Sequence, residues 1–253
     1  MYRVIAILIF LSIVSCKEDK KEKSSILSAQ QIVDRSIEVC GGDLYKTTEI
    51  AFDFRDKTYI LEGRQDQRIQ KRLTVSDSAI VTDVVENQTF KRFINDSLVS
   101  VADSMATKYS NSINSVHYFA YLPYGLNDPA VNKELLEEVR IKENDYYKVR
   151  VTFDQEDGGV DFEDVYLYWF NKQTFKPDYL AYEFFTDGGG MRFREAYNER
   201  FVNGIRFVDY KNYKTVDKTI PIGEIDSLFV AKRLELLSNI ELKNIEVIPD
   251  NYN

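Results

Sequence analysis

The chain has 253 residues, enough for one large domain or two small ones. Its 41 acidic and 33 basic side chains leave a net charge of −8 without any cluster of basic residues, which argues against a nucleic-acid-binding protein. The single histidine, His117, argues against His-dependent catalytic triads and multi-histidine metal sites. Tyrosine (17) and phenylalanine (16) are abundant, and aromatic residues favour β-strands.

The N-terminus has the pattern of an export signal. One positive charge, Arg3, precedes an apolar run over residues 4–14, which ends at Ile13-Val14-Ser15-Cys16. The run is too short for a transmembrane helix, which needs roughly 20 apolar residues, and has the length of a signal-peptide core. Residues 1–15 are therefore predicted to be a signal peptide.

The sequence Ile13-Val14-Ser15-Cys16 resembles the bacterial lipobox. The resemblance implies transfer of a diacylglyceryl group to the Cys16 thiol, cleavage before Cys16, and acylation of the new amine. The alternatives are an ordinary signal peptide with an accidental cysteine, or an uncleaved anchor. Lipidation of Cys16 would hold the protein on a membrane outside the cytoplasm.

Residues 16–26 are predicted to be a flexible tether between lipid and domain. Seven of the nine residues 17–25 are charged, and such a segment cannot bury enough apolar surface to order itself. Lys17 follows the cysteine where an aspartate would favour retention in the inner membrane. Cys16-Lys17-Glu18-Asp19 also resembles signals that send lipoproteins to the cell surface; the alternative is a plain solvated linker. We expect the outer membrane, at its periplasmic face or at the cell surface.

The first predicted element of the folded part is a helix. Ser28 and Gln31 have the spacing of a capping box, and Gly41-Gly42 is typical of a helix end. Ala29, Val33, Ile37 and Cys40 recur at helical spacing and form an apolar stripe. Cys40 is therefore predicted to be a buried, structural thiol.

Alternating apolar residues and turn residues about 8–12 residues apart predict an antiparallel meander of six strands between residues 48 and 101. Two helices are predicted to follow, over residues 103–122 and 130–138. His117 lies on the apolar face of the first and is interpreted as a hydrogen-bonded core residue. Strands resume at residue 139, and Asn203-Gly204 predicts a hairpin. Strands 165–170 and 179–185 are apolar on both faces, so both faces should be covered.

This order of elements resembles the LolA/LolB superfamily of lipoprotein carriers and receptors. The resemblance implies an α+β, mostly antiparallel β fold, in which a curved open barrel of about eleven strands wraps over an N-terminal helix and mid-chain helices. Its apolar concavity would hold acyl chains or other hydrophobic ligands. The segments 109–116, 122–133 and 187–198 look like those of an uncharacterised Gram-negative lipoprotein family. We predict one domain over residues 27–248 and a tail at 249–253.

Candidate sites of catalysis or metal binding are weak in this sequence. Six carboxylates in residues 154–164 could hold a cation, but their spacing does not fit an EF-hand loop, and a solvated hairpin tip is the simpler interpretation. Carboxylate pairs for glycoside hydrolysis are available among Asp161, Glu163, Asp187 and Glu195. Gly188-Gly189-Gly190 precedes a strand rather than a helix, which does not fit a phosphate loop. We predict no catalytic residue, metal site or cofactor.

The leading hypothesis is a non-enzymatic, membrane-anchored lipoprotein of the cell envelope that binds a hydrophobic small molecule or lipid in a half-barrel cavity. One alternative is an interaction or accessory subunit with the same fold and a filled interior. The other is an enzyme with a site at the acidic hairpins.

Overall fold

The computed structural model describes residues 27–64, 67–156, 162–185, 188–217 and 219–249. The predicted signal peptide (1–15), the tether (16–26) and the tail after residue 249 lie outside these residues, as do Asp161 and Asp187. The described helices and strands fall between Ala29 and Pro249, so a chain that begins at residue 17 retains all of them. No helix in the described part is both long enough and apolar enough to span a membrane.

Helix α1 (Ala29–Cys40) begins with the predicted capping box. The backbone N–H of Gln31 donates to Ser28 Oγ at 3.2 Å, and the backbone N–H of Ser28 donates to Gln31 Oε1 at 2.9 Å. These two bonds satisfy donors that a helix N-terminus otherwise leaves unpaired. Gly41 ends the helix at φ 153°, where a residue with a Cβ would be strained, and a short 3₁₀ helix (Gly42–Lys46) follows.

Cys40 lies at the C-terminal end of α1 with no exposed surface, as its place in the apolar stripe predicted. Burial raises the pKa of its thiol to about 11. The reactive form of a cysteine is the thiolate, so we expect Cys40 to react very slowly with a thiol reagent in the folded state. In the soluble chain that begins at residue 17, Cys40 is the one cysteine, so labelling in buffer and in concentrated urea can be compared directly. Similar rates in the two solvents would contradict a buried thiol.

The described residues contain two antiparallel sheets of seven strands each. The first half of the chain supplies β1 (Thr48–Phe54), β2 (Lys57–Arg64), β3 (Gln67–Val75), β4 (Ile80–Glu86), β5 (Thr89–Ile94) and β6 (Ser97–Val99). The second half supplies β7 (Val131–Ile141), β8 (Asn144–Phe153), β9 (Val165–Asn171), β10 (Pro177–Phe184), β11 (Gly190–Val202), β12 (Ile205–Lys214), β13 (Glu235–Ile240) and β14 (Lys243–Pro249).

The sheets join along one side and stay apart along the other. The first has the order β14-β1-β2-β3-β4-β5-β6 and the second β13-β12-β11-β10-β9-β8-β7. The consecutive strands β13 and β14 lie in different sheets, so the sheets meet there, whereas β6 and β7 are connected through a helical segment. The sheets do not close into a barrel, which confirms the predicted α+β fold with an open, mostly antiparallel sheet. The described residues contain fourteen strands rather than about eleven.

The predicted helix over residues 130–138 is wrong, because this segment is most of strand β7. Its lysine, glutamate and leucine residues favour a helix by intrinsic propensity. Pairing with β8 overrides that preference, with Val131 opposite Phe153 and Ile141 opposite Asn144. The register shifts between Leu135 and Glu138, and this irregularity hides the alternation that would have marked a strand.

Helix α2 (Asp103–Ala120) confirms the other mid-chain prediction, although its N-cap is Ala102 and has no side-chain cap. It packs against β3, β4 and β5. A buried ion cluster, formed by the side chains of Asp83, Arg72 and Arg92, stabilises this contact. Asp83 accepts hydrogen bonds from Arg72 at 2.7 Å and from Arg92 at 2.6 Å and 3.0 Å, and Arg72 also donates to Ser112 on α2 at 3.1 Å.

The second sheet is covered on both faces, as its apolar strands predicted. Tyr168 and Phe170 belong to a core cluster that the inner face forms with α1 and the segment after α2, whereas Leu167 and Trp169 belong to a cluster on the outer face. Helix α3 (Ile225–Val230), which the sequence did not predict, covers that outer cluster. Asp226 on α3 accepts from the Trp169 indole at 3.1 Å and pairs with Lys148 at 3.0 Å.

Candidate functional site

A cavity of about 720 Å³ lies between the two sheets. Its lining comes from β1–β3 of the first sheet, from the inner face of β7–β13 of the second sheet, and from α2 with the segment that follows it. The volume falls in the range of about 300–1,000 Å³ that is typical of small-molecule sites. The interior is therefore not completely filled by side chains.

One wall of the cavity is aromatic. Side chains of β9 and β10 alternate between the two faces of the sheet, and the inward positions are Tyr166, Tyr168, Leu180 and Tyr182. The ring centroid of Tyr166 lies 5.4 Å from that of Tyr182 and 5.6 Å from that of Phe153 on β8. Such a surface offers a large apolar area together with hydroxyl groups at its edge.

Helix α2 supplies another wall, which includes the chain's single histidine. His117 is buried beside the rings of Tyr59 and Tyr121, with centroids 5.7 Å and 5.5 Å from its own. Its Nε2–H donates to the carbonyl oxygen of Lys71 at 3.3 Å, since that oxygen can only accept. Nδ1 has no hydrogen-bond partner among the described residues. The environment agrees with the predicted hydrogen-bonded core histidine.

Burial lowers the pKa of His117 to about 4, from an ordinary value of 6.5. The unfolded chain therefore takes up this proton at higher pH than the folded chain, so stability falls as the pH drops from about 6.5 to about 4. The loss expected over that window is roughly 3 kcal/mol. Urea unfolding of the wild type and of His117→Phe, each at pH 7.5 and pH 5, isolates this contribution from that of the carboxylates. The same pH dependence in both proteins would contradict a neutral, buried imidazole.

The charged residues of the lining are mostly basic. It contains four arginines and two aspartates, without lysine or glutamate. Arg68 and Asp128 form a bidentate pair with distances of 2.6 Å and 3.1 Å, and the Arg68 guanidinium also lies 4.6 Å from the ring centroid of Tyr124. The remaining arginines, Arg55, Arg192 and Arg194, have no carboxylate within 4 Å among the described residues.

The candidate carboxylates of the sequence do not come together at this cavity. Asp161 and Asp187 lie outside the described residues, and Glu163 is exposed. Among the described residues of the acidic segment 154–164, Asp164 lines the cavity. Glu195 lies on the outer face of β11, 2.5 Å from Lys142 and 3.5 Å from Lys211. Burial opposes its ionisation, but these ammonium groups outweigh burial and lower the pKa of Glu195. The described ranges hold no group of three His, Cys, Asp or Glu residues that could ligate a metal ion.

No motif in the sequence marks Arg192 or Arg194 as functional residues. On β11 they alternate with Met191 and Phe193, which is the pattern of a strand with one buried and one solvent-facing side. Both sides of the strand are in fact covered, because the face with Met191 and Phe193 packs under α3 and the other face lines the cavity. The absence of an acidic residue at neighbouring inward positions is the signal that could have drawn attention to them.

Fold and cavity together define an α+β protein whose two antiparallel sheets flank an open cavity of ligand size. Residues 6–242 match the model of a family of unknown function (DUF6503), and the chain belongs to this family. No curated protein matches the chain significantly.

Solved structures with a similar chain path include LolA-type proteins. The LolA superfamily protein NE2245 from Nitrosomonas europaea is 12% identical, with a TM-score of 0.48 over 87% of this chain and 94% of that one. A DUF1329 family protein from Desulfovibrio piger is 9% identical, with a TM-score of 0.48 over 90% and 95%. A putative outer membrane lipoprotein-sorting protein domain from Vibrio parahaemolyticus is 7% identical, with a TM-score of 0.28 over 73% and 89%. The predicted likeness to an uncharacterised family agrees with the match to the family of unknown function. Structural similarities at this level carry no conclusion about the ligand or role of this chain.

Proposed function

We propose that this protein is a lipid-anchored, non-enzymatic protein of the cell envelope that binds a hydrophobic ligand or a lipid chain between its two sheets. The observation that carries the proposal is the cavity of about 720 Å³ with its wall of tyrosine and phenylalanine rings. This aromatic wall favours contact with an apolar chain, because burial of each methylene group contributes about 0.8 kcal/mol.

The anchor is proposed on Cys16, with residues 1–15 as the cleaved signal peptide and residues 16–26 as the tether. Its support is the lipobox-like sequence Ile13-Val14-Ser15-Cys16 after an apolar run of signal-peptide length. The outer membrane is the proposed location, with the folded part in the periplasm or at the cell surface.

A binding role fits the residues around the cavity better than a catalytic one. A general acid or base needs a titratable group with a pKa near the working pH and within reach of the ligand. His117 has a pKa of about 4, and its Nε2–H is committed to a backbone carbonyl. Glu195 is on the opposite face of its strand and pairs with two lysines.

The chain over residues 17–253, purified without detergent, tests the binding function. Native mass spectrometry followed by organic extraction should find a co-purifying lipid, and a fluorescent fatty-acid analogue should bind saturably. An empty protein with no saturable binding would contradict the proposal and favour the interaction subunit instead.

The variant Ser115→Trp tests whether the ligand binds in the cavity. Ser115 is exposed on α2 and lines the cavity, so an indole at this position would occupy ligand space without disturbing the buried core. We expect at least a tenfold loss of affinity for the fluorescent analogue. Ser104→Trp is the matched control, because Ser104 is exposed on the same helix and is not part of the lining. Equal affinity of the two variants would place the binding elsewhere.

A further inference from the structure

Two arginines stand side by side on the inner face of β11. In the ladder, Arg192 lies opposite Tyr182 on β10 and Lys214 on β12, and Arg194 lies opposite Leu180 and Asn212. Both line the cavity, and both are only half-buried. Because they are two residues apart on one strand, their side chains leave the sheet on the same side.

Within the described residues, the hydrogen bonds and ring contacts of both guanidinium groups are made with neutral groups. Arg194 donates to the Tyr182 hydroxyl at 3.3 Å and lies 5.2 Å and 5.3 Å from the ring centroids of Phe119 and Tyr182. Its Nε is buried with no hydrogen-bond partner in the described part of the chain. Arg192 donates to the carbonyl oxygen of Met191 at 2.9 Å and lies 5.0 Å from the ring centroid of Phe184.

Other buried or partly buried arginines of this chain have a carboxylate partner. The pairs are Arg72–Asp83 at 2.7 Å, Arg92–Asp83 at 2.6 Å, Arg200–Asp209 at 3.0 Å and Arg206–Glu199 at 2.6 Å. A guanidinium that is partly removed from water without a counter-ion is costly, and a bound anion offsets that cost through short, charge-assisted hydrogen bonds. Arg192 and Arg194 lack such an anion among the described residues and face a space large enough to admit one.

One polar part of the cavity lies at this end of the second sheet. Asn212, opposite Arg194, donates to Ser238 on β13 at 3.2 Å, while its Oδ1 is buried without a partner in the described ranges. The aromatic wall begins at the next strand with Tyr182 and continues to Tyr166 and Phe153. The cavity therefore has a cationic, hydrogen-bonding end beside a long aromatic surface.

The charge of the lining also contrasts with that of the whole chain. Arg68 and Asp128 neutralise each other, which leaves Arg55, Arg192 and Arg194 against Asp164. The cavity is thus positive in a protein of net charge −8. Low-dielectric walls focus such a local field and favour an anion inside.

We propose that the ligand is an acyl amphiphile with an anionic head group, a carboxylate or a phosphate. Arg192 and Arg194 bind the head group, and the acyl chain lies along the wall formed by Tyr182, Tyr166 and Phe153. This inference rests on the proposed binding function and adds the chemistry of the ligand's polar end. The geometry suits either oxyanion, because a guanidinium group can bind both through two parallel hydrogen bonds.

Four probes with the same alkyl chain test this assignment on residues 17–253: dodecanoate, dodecyl phosphate, dodecanol and dodecyltrimethylammonium. Each competes with the fluorescent fatty-acid analogue below its micelle concentration at pH 8. We expect at least one of the two anions to bind tenfold or more tightly than dodecanol, and the cation to bind most weakly. The anion that binds more tightly distinguishes a carboxylate head group from a phosphate.

Arg194→Gln should remove the preference for the anion by about 10- to 100-fold and leave dodecanol binding within twofold of the wild type. Arg192→Gln is a second, independent variant with the same expected direction. Arg150→Gln is the matched control, because Arg150 is exposed on β8 and its weak pair with Glu134 at 3.6 Å lies away from the cavity. Unfolding in urea shows whether each variant is folded.

The outcomes separate the two proposals. If dodecanol binds as tightly as both anions, or if Arg194→Gln and Arg192→Gln weaken dodecanol as much as the anions, the anionic head group is wrong while the binding function stands. If the fluorescent analogue itself does not bind saturably, the binding function is contradicted, and the head-group assignment with it. If the analogue binds but none of the four probes displaces it, the head-group assignment alone is contradicted.

Discussion

Cells that make the Cys16→Ser chain are expected to have nearly all of this protein outside the membrane fraction, whereas the wild type stays almost entirely in it. The reason is the strength of a multiple acyl anchor. One acyl chain gives only marginal binding, but each buried methylene adds roughly 0.8 kcal/mol, so two or three chains on one residue make release negligible. A radioactive fatty acid supplied to the cells should label the wild type and not the variant.

Cys40→Ala is the matched control for this experiment. Cys40 is the other cysteine of the chain and is buried in the folded part, so its removal should leave both the label and the membrane location unchanged. Equal membrane partitioning of wild type and Cys16→Ser would contradict the anchor. Loss of label in Cys40→Ala but not in Cys16→Ser would mean that the lipid is attached to Cys40 and not to Cys16.

Asp83→Ala is expected to destabilise the fold by about 3–5 kcal/mol, the usual effect of removing one partner of a buried ion pair. Asp83 is 2% exposed and accepts from both Arg72 and Arg92. Arg72 is itself buried, and within the described residues it has no other carboxylate within 4 Å. Removal of the Asp83 carboxylate therefore leaves the charge of the Arg72 guanidinium unpaired inside the contact between the first sheet and α2.

Urea unfolding of Asp83→Ala and Glu86→Ala measures this effect against a control on the same strand. Glu86 pairs with Lys91 at 3.7 Å near the surface, and surface pairs contribute about 0–1 kcal/mol. We expect a large fall in the urea midpoint for Asp83→Ala and a small one for Glu86→Ala. Similar midpoints would mean that the ion cluster does not hold α2 against the sheet. Because α2 lines the cavity, Asp83→Ala should also weaken ligand binding if it remains folded.

Local signals in the sequence predicted local structure well. The Ser28–Gln31 capping box, the glycine after α1 and the Asn203-Gly204 hairpin each depend on groups a few residues apart, and all three occur in the structure. Asn203 and Gly204 both have positive φ, at 44° and 89°, which a two-residue hairpin turn favours. Tertiary contacts do little to change such short-range geometry.

Elements that depend on distant partners were harder to predict. Strand β7 has the intrinsic propensity of a helix and becomes a strand through its ladder with β8. Strand β14 pairs with β1, so that Ile50 lies opposite Val247 almost two hundred residues later. Helix α3 is only six residues long, and its burial depends on contacts with Trp169 and Lys148 of the second sheet.

Composition and short-range patterns were enough to predict an aromatic, antiparallel β-rich chain and the capped N-terminus of α1. The signal peptide and the lipidated Cys16 stay predictions from local patterns of the same kind. Those properties follow from composition and from interactions between near neighbours. Long-range packing, by contrast, leaves the space between the sheets open, and Arg192 and Arg194 face it without a carboxylate among the described residues. An alternating strand has the same pattern whether its polar face meets solvent or a cavity, because the alternation reports the pleat of the strand and not what lies opposite it.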